Sequence, residues 1–94
     1  MTIKKGLVYQ IEFATDVPRL ELSDMKGLAP VFERMAANLR YSYTAGQFPT
    51  YAEALRNLNR VRLLGFPNAR IVAFRNGVPV DVYAARMSAS EAPA

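Results

Sequence analysis

Apolar and polar positions alternate near the start of the chain. Every odd position from Leu7 to Phe13 is apolar, while Gln10 and Glu12 lie between them. This period of two predicts a half-buried strand over residues 7–13. Residues 14–21 predict a loop, and residues 31–35 and 39–45 predict two further strands joined as a hairpin.

A helix is predicted to begin at Thr50. Thr50 and Glu53 form a capping-box pattern, in which the Thr50 hydroxyl accepts from the amide three residues on and Glu53 reaches back. Gly65 can end the helix after about four turns. Apolar residues recur with helical spacing along this segment, which predicts an amphipathic helix. They are Ala54, Leu55, Leu58, Val61 and Leu64.

The remaining predicted elements are shorter. Ser23 can cap a short helix at residues 24–26, which Gly27 and Pro30 end. Residues 69–74 predict a last apolar strand. Asn76-Gly77 predicts a turn that leads into either a short strand or a closing helix within residues 80–87.

Together these elements follow the order β-α-β, β-α-β. The order predicts an α+β protein with a ferredoxin-like βαββαβ arrangement, in which two helices cover one face of a four-stranded antiparallel sheet. The other face is then open, and it is where we expect the function to reside. A chain of 94 residues fits one domain, predicted over 1–87 with a C-terminal tail at 88–94.

Composition excludes most catalytic chemistry. Hydrophobic residues make up 51% and charged residues 21% of the chain, as in an ordinary globular domain. The chain has no Cys and no His, so it lacks thiol nucleophiles, thiolate metal ligands and the commonest general base. No two acidic residues stand at a spacing that brings them to one pocket. We therefore predict no enzymatic activity.

The net charge of +4 and the pI near 9.8 favour anionic partners. Six arginines could form a phosphate-binding stripe: Arg34, Arg40, Arg56, Arg60, Arg62 and Arg70. The aromatic strand signature of RNA-binding RRM domains has no counterpart in residues 39–46, where the tyrosines take the inward positions. Nucleic acid is therefore the less favoured partner.

Neither an export signal nor a membrane span is predicted. The first six residues lead into the alternating strand without an apolar run or a small-residue cleavage site. No stretch reaches 18 consecutive apolar residues. If the protein is exported, these residues belong to a longer chain.

Several segments resemble the SPOR (sporulation-related repeat) domains. The strongest is the tyrosine-rich run 41–48, which ends in the Gly-x-Phe of Gly46 and Phe48 and precedes the Tyr-x-Glu-Ala of residues 51–54. The strand at 9–14 is also similar, with Glu12 where a Gln is common, as are residues 60–66 and 69–77. The resemblance implies a non-catalytic domain of a bacterial cell-envelope or cell-division protein, located in the periplasm or envelope. It implies binding to peptidoglycan glycan strands stripped of their stem peptides, without a cofactor.

Strand parity identifies the candidate ligand-binding residues of the open face. They are Gln10, Glu12, Arg40, Ser42, Thr44, Arg70 and Phe74. Amides, hydroxyls, carboxylates and an aromatic ring are the groups that a sugar polymer requires. Phe74 is either a platform for a sugar ring or part of a second small core under residues 80–87. The alternative function is a protein-interaction or assembly module of the envelope, acting through a sheet edge or residues 80–87.

Overall fold

The computed structural model describes residues 6–88 and has the predicted α+β class. Its elements are β1 (Leu7–Val17), a 3₁₀ helix (Leu22–Met25), β2 (Val31–Met35), β3 (Tyr41–Phe48), α1 (Tyr51–Leu63), β4 (Arg70–Arg75), β5 (Val78–Val80) and α2 (Val82–Ser88). The predicted tail lies outside the described residues, except for Ser88, which ends α2. The first five residues also lie outside them.

One antiparallel sheet contains all five strands, in the order β2-β3-β1-β4-β5. The predicted count of four strands is wrong, because the turn after β4 adds β5 at the sheet edge. Asn76 and Gly77 have φ values of 53° and 83°, the geometry that a tight two-residue hairpin requires. The chain thus forms both a short strand and a helix after this turn, where the sequence left the choice open.

The first predicted helix is a single 3₁₀ turn. Glu21 rather than Ser23 stands at its start, and the Asp24 carboxylate accepts from the Glu21 amide at 2.9 Å. Lys26 ends the turn in the left-handed conformation, one residue before Gly27. The α-helices that contact the sheet are therefore α1, against β1, β3 and β4, and α2, against β4.

β1 is longer and more irregular than predicted. It continues through residues 14–17, which were expected in a loop, because its second half pairs with β3 as far as Val17 opposite Tyr41. The β1–β3 register shifts three times, so that Phe13 and Ala14, consecutive residues, both pack against the core. Extra residues of this kind bend a strand and increase its twist. The sheet consequently curls around the face opposite α1.

Two adjacent hydrophobic clusters form the core between the sheet and the helices. The larger cluster contains Ile11, Phe13, Tyr43, Ala45, Leu58, Val61 and Ala69. The smaller contains Tyr9, Ala54, Ala73 and Ala85, so α2 packs beside α1 on the same side of the sheet. The inward positions predicted for β1 are confirmed, since Tyr9, Ile11 and Phe13 are all buried.

α1 begins as predicted. Thr50 is its N-cap, and the Thr50 hydroxyl accepts from the amide of Glu53 at 3.2 Å. The helix buries Ala54, Leu58 and Val61, whereas Leu55 is 50% exposed and does not belong to the core. Within residues 6–88, neither α-helix is long and apolar enough to cross a bilayer.

Candidate ligand-binding groove

The curled sheet encloses an open groove of about 570 Å³ on the face opposite α1. Five of the seven predicted ligand-binding residues line it: Glu12, Ser42, Thr44, Arg70 and Phe74. The structure therefore brings together most of the residues that strand parity had selected. Further lining residues that the prediction did not include are, among others, Arg34, Met35, Val72, Pro79 and Asp81.

Arg34 and Phe74 meet across this groove. The guanidinium carbon of Arg34, on β2, lies 4.2 Å from the ring centroid of Phe74, on β4. Two strands separate β2 from β4 in the sheet, a distance of about 14 Å if the sheet were flat. The contact therefore depends on the curl of the sheet. It is a cation–π contact, and it connects the two walls of the groove.

Phe74 is only 7% exposed, and it belongs to neither core cluster. Arg34 lies over its ring, and Pro79 of β5 is its cross-strand partner. Neither of the two alternatives left open for Phe74 holds as stated: its ring is not an exposed platform, and Phe74 does not belong to the cluster that α2 joins. α2 does complete a small cluster, but on the other face of the sheet, where Ala85 packs with Ala73.

Glu12 and Arg70 form an ion pair beside the groove. They stand directly opposite each other on β1 and β4, and Arg70 Nε donates to Glu12 Oε1 at 3.0 Å. The Glu12 side chain is 15% exposed and the Arg70 side chain 69% exposed. Because solvent reaches Arg70, the pair contributes about 1 kcal/mol or less to stability. Arg70 remains accessible to a ligand from the groove.

The side chains of Thr44 and Gln10 form a hydrogen bond with each other. Thr44 Oγ1 donates to Gln10 Oε1 at 2.6 Å, and the two residues are 3% and 7% exposed. Thr44 lines the groove, whereas Gln10 is not part of the lining. A ligand reaches the Gln10 amide only if this buried pair opens.

Ser42 is the second residue of β3, and Arg40 immediately precedes this strand. The Ser42 hydroxyl is 3.0 Å from that of Thr15, and Ser42 lines the groove. Arg40 is not part of the groove lining. Its Nε lies 3.3 Å from Asp16 Oδ1, and its terminal nitrogen donates to the Asp16 carbonyl. A role of Arg40 in ligand binding stays a prediction.

The arginines considered as a phosphate stripe lie on two sides of the sheet. Arg34 and Arg70 line the groove. Arg56, Arg60 and Arg62 are exposed on α1, which packs against the opposite face, and Arg62 Nε donates to the Ala69 carbonyl at 3.1 Å. The six therefore do not form one continuous stripe. Among residues 6–88, no group of three or more acidic side chains is placed to hold a metal ion.

A part-buried hydrogen-bond network around the Tyr43 hydroxyl joins β3 to β2 and to the segment before the 3₁₀ helix. Tyr43 is fully buried; its hydroxyl donates to Glu33 Oε2 at 2.7 Å and accepts from the Leu20 amide at 2.9 Å. Burial raises the pKa of Tyr43 above its ordinary value, the Leu20 amide opposes this, and the Glu33 carboxylate adds to it. Arg19 pairs with the same Glu33 carboxylate at 3.4 Å. The fold therefore favours the neutral phenol.

We expect the Tyr43 hydroxyl to make stability fall at high pH. Because its pKa is higher in the folded protein, its contribution is complete below about pH 10 and is lost as the pH rises through the folded pKa. The free energy of unfolding should thus be lower at about pH 11 than at about pH 8, with the decrease beginning at about pH 10. Tyr43→Phe should have a lower free energy of unfolding than the wild type at the lower pH. Its free energy of unfolding should also decrease less than that of the wild type between the two pH values. Urea denaturation at both pH values measures the difference.

Tyr83→Phe is the matched control for this measurement. Tyr83 is 70% exposed, and this variant keeps the Tyr43 hydroxyl, so it should retain the wild-type loss. Parallel losses in the wild type and Tyr43→Phe would assign the pH dependence to other groups.

Comparison of the chain with protein-family models, curated proteins and solved structures found no significant match. The groove and the sequence resemblance are therefore the two grounds for a functional hypothesis.

Proposed function

We propose that this protein is a non-catalytic domain that binds peptidoglycan glycan strands in the groove. The observation that carries the proposal is the groove itself, an open groove of about 570 Å³ with an aromatic ring and several polar side chains in its lining. The SPOR resemblance supports the same ligand. The ferredoxin-like relationship of β1–β4 and a place in a periplasmic or envelope protein of the division machinery are parts of this proposal.

The chemistry of the lining suits a sugar polymer. Sugar rings present hydroxyls that need donors and acceptors, and CH faces that pack on apolar surfaces. Arg70 can donate, the Glu12 carboxylate can accept, and the Ser42 hydroxyl can do both. Val72 and Pro79 add apolar surface.

Phe74 is available to a ligand only together with Arg34. Since Phe74 is 7% exposed, a sugar ring contacts it at its edge beside the guanidinium, or after Arg34 turns away. Arg34 is exposed at the sheet edge, so its side chain can move without disturbing the core. We therefore assign the aromatic platform to the pair rather than to Phe74 alone.

A pull-down on insoluble peptidoglycan sacculi tests the proposal. Sacculi are used untreated and after amidase removal of the stem peptides, and retention of the purified protein should rise on the stripped glycan. Arg70→Ala and Glu12→Ala should each reduce retention by roughly two- to tenfold, the effect of one hydrogen bond. Arg56→Ala, an exposed change on α1, is the matched control and should bind like the wild type. Far-UV circular dichroism confirms that each variant is folded.

Absence of retention on both forms of sacculi would contradict the proposal and favour the alternative, a protein-interaction module of the envelope. One observation supports that alternative. β2 is an edge strand whose last residue, Met35, is 59% exposed, and Leu39 in the turn that follows is 69% exposed.

A further inference from the structure

Arg34 is the groove arginine without an acidic partner. Among the described residues, the other arginine of the groove lining, Arg70, pairs with Glu12. Arg34 makes the cation–π contact with Phe74, and residues 6–88 provide it with neither an ion pair nor a side-chain hydrogen bond. Its five N–H donors therefore lack a carboxylate or carbonyl acceptor within this part of the chain.

The acidic groups of the groove are already engaged. Glu12 accepts from Arg70 at 3.0 Å, and Asp81 accepts from the Ala84 amide at 2.9 Å at the start of α2. Neither forms an ion pair with Arg34. The ring of Phe74 holds the guanidinium at the groove, where an incoming anion can reach it. This is an arrangement for binding a carboxylate with an apolar group beside it.

Removal of a stem peptide creates such a carboxylate. The peptide is joined to the glycan by an amide on the lactyl group of N-acetylmuramic acid. An amidase adds water across that C–N bond, so the acyl carbon gains the hydroxyl and the amine leaves with the proton. The lactyl group is neutral as an amide and anionic afterwards. Each stripped disaccharide thus carries one new negative charge next to a methyl group.

We propose that Arg34 binds the lactyl carboxylate of stripped N-acetylmuramic acid, with the Phe74 ring beside it. This inference rests on the proposed glycan-binding function and identifies the chemical group that would distinguish stripped from unstripped strands. A neutral amide offers a weaker acceptor, and the attached peptide occupies the space next to it. Arg34 is then a specificity-determining residue, while Glu12, Ser42 and Arg70 contact the sugar irrespective of the peptide.

Three soluble oligosaccharides of equal length test this assignment by isothermal titration calorimetry. The first is amidase-stripped glycan with free lactyl carboxylates, the second is the same glycan with those groups converted to primary amides, and the third is a chitin oligosaccharide without lactyl groups. The wild type should bind the first roughly tenfold more tightly than the second. Arg34→Gln should abolish this preference, because it should lower the affinity for the glycan with free carboxylates roughly tenfold more than the affinity for the amidated glycan. Arg34→Lys should retain part of it, and Arg56→Gln should retain all of it.

The outcomes separate the two proposals. Equal affinity of the wild type for the free and amidated glycans would overturn the role of Arg34 and leave glycan binding intact. An equal loss of affinity for all three ligands in Arg34→Gln would also overturn it, because the residue would then support the groove without reading the carboxylate. Absence of binding to all three ligands, together with no retention on sacculi, would overturn the proposed function and this inference with it.

Discussion

Replacing Gly46 with alanine is expected to destabilise the protein by roughly 2–4 kcal/mol. Gly46 is buried in β3 with φ of 83°, in the left-handed region that a Cβ disfavours. An added Cβ would lie 2.5 Å from Cζ of Phe48 and closer still to Cε2. Phe48 packs against both core clusters, so its ring cannot move away without losing those contacts. Urea denaturation measures the change in the free energy of unfolding.

Gly77→Ala is the matched control for Gly46→Ala. Gly77 has the same φ of 83°, but a Cβ there meets nothing within 4 Å. Gly77→Ala should lower the free energy of unfolding by about 1–2 kcal/mol, the cost of a left-handed backbone conformation for a residue with a Cβ. Adding Phe48→Leu to Gly46→Ala should recover part of the larger loss. Equal losses at Gly46 and Gly77 would contradict a steric role of the Phe48 ring.

The contact between Gly46 and Phe48 explains why the sequence has the spacing Gly-x-Phe at this point. Gly46 and Phe48 stand at a register shift, where Tyr9 pairs with Phe48 and Ile11 with Ala45, so β3 contributes one more residue than β1. The ring of Phe48 occupies the place where a side chain at position 46 would lie. The Gly-x-Phe spacing is therefore a requirement of this bulge, which helps to curl the sheet around the groove.

Features that depend on neighbours in the sequence could be predicted. The inward residues of β1 follow from a period of two, the start of α1 from the Thr50 cap, and the hairpin after β4 from Asn76-Gly77. Parity along the strands was also sufficient to place Glu12 and Arg70 on one face. Each of these rests on one strand, one cap or one turn.

Features that depend on partners distant in the sequence could not be predicted from it. Residues 14–17 break the alternation and precede Pro18, yet they extend β1, because β3 provides partners as far as Tyr41. The contact between Arg34 and Phe74 requires the curl of the whole sheet, and no local pattern reports that curl. Arg40 has the parity of Ser42, but its ion pair with Asp16 holds it outside the groove lining. Alternation gives the face of a residue and not its position along a curved surface.

Truncation of Leu58 is expected to destabilise the protein by about 2–4 kcal/mol. Leu58 is 9% exposed and packs in the larger cluster with Ile11, Tyr43 and Val61, between α1 and the centre of the sheet. Leu58→Ala removes apolar atoms from this contact, and the neighbouring strands fix the cavity that remains. Thermal and urea denaturation both measure the loss.

Leu55→Ala is the control, because it makes the same chemical change three residues earlier on α1. Leu55 is 50% exposed, so its truncation should change stability by less than about 0.5–1 kcal/mol. The helical pattern alone placed both leucines among the apolar positions, and only the packing of α1 distinguishes them. Similar losses for the two variants would mean that α1 is rotated relative to the sheet.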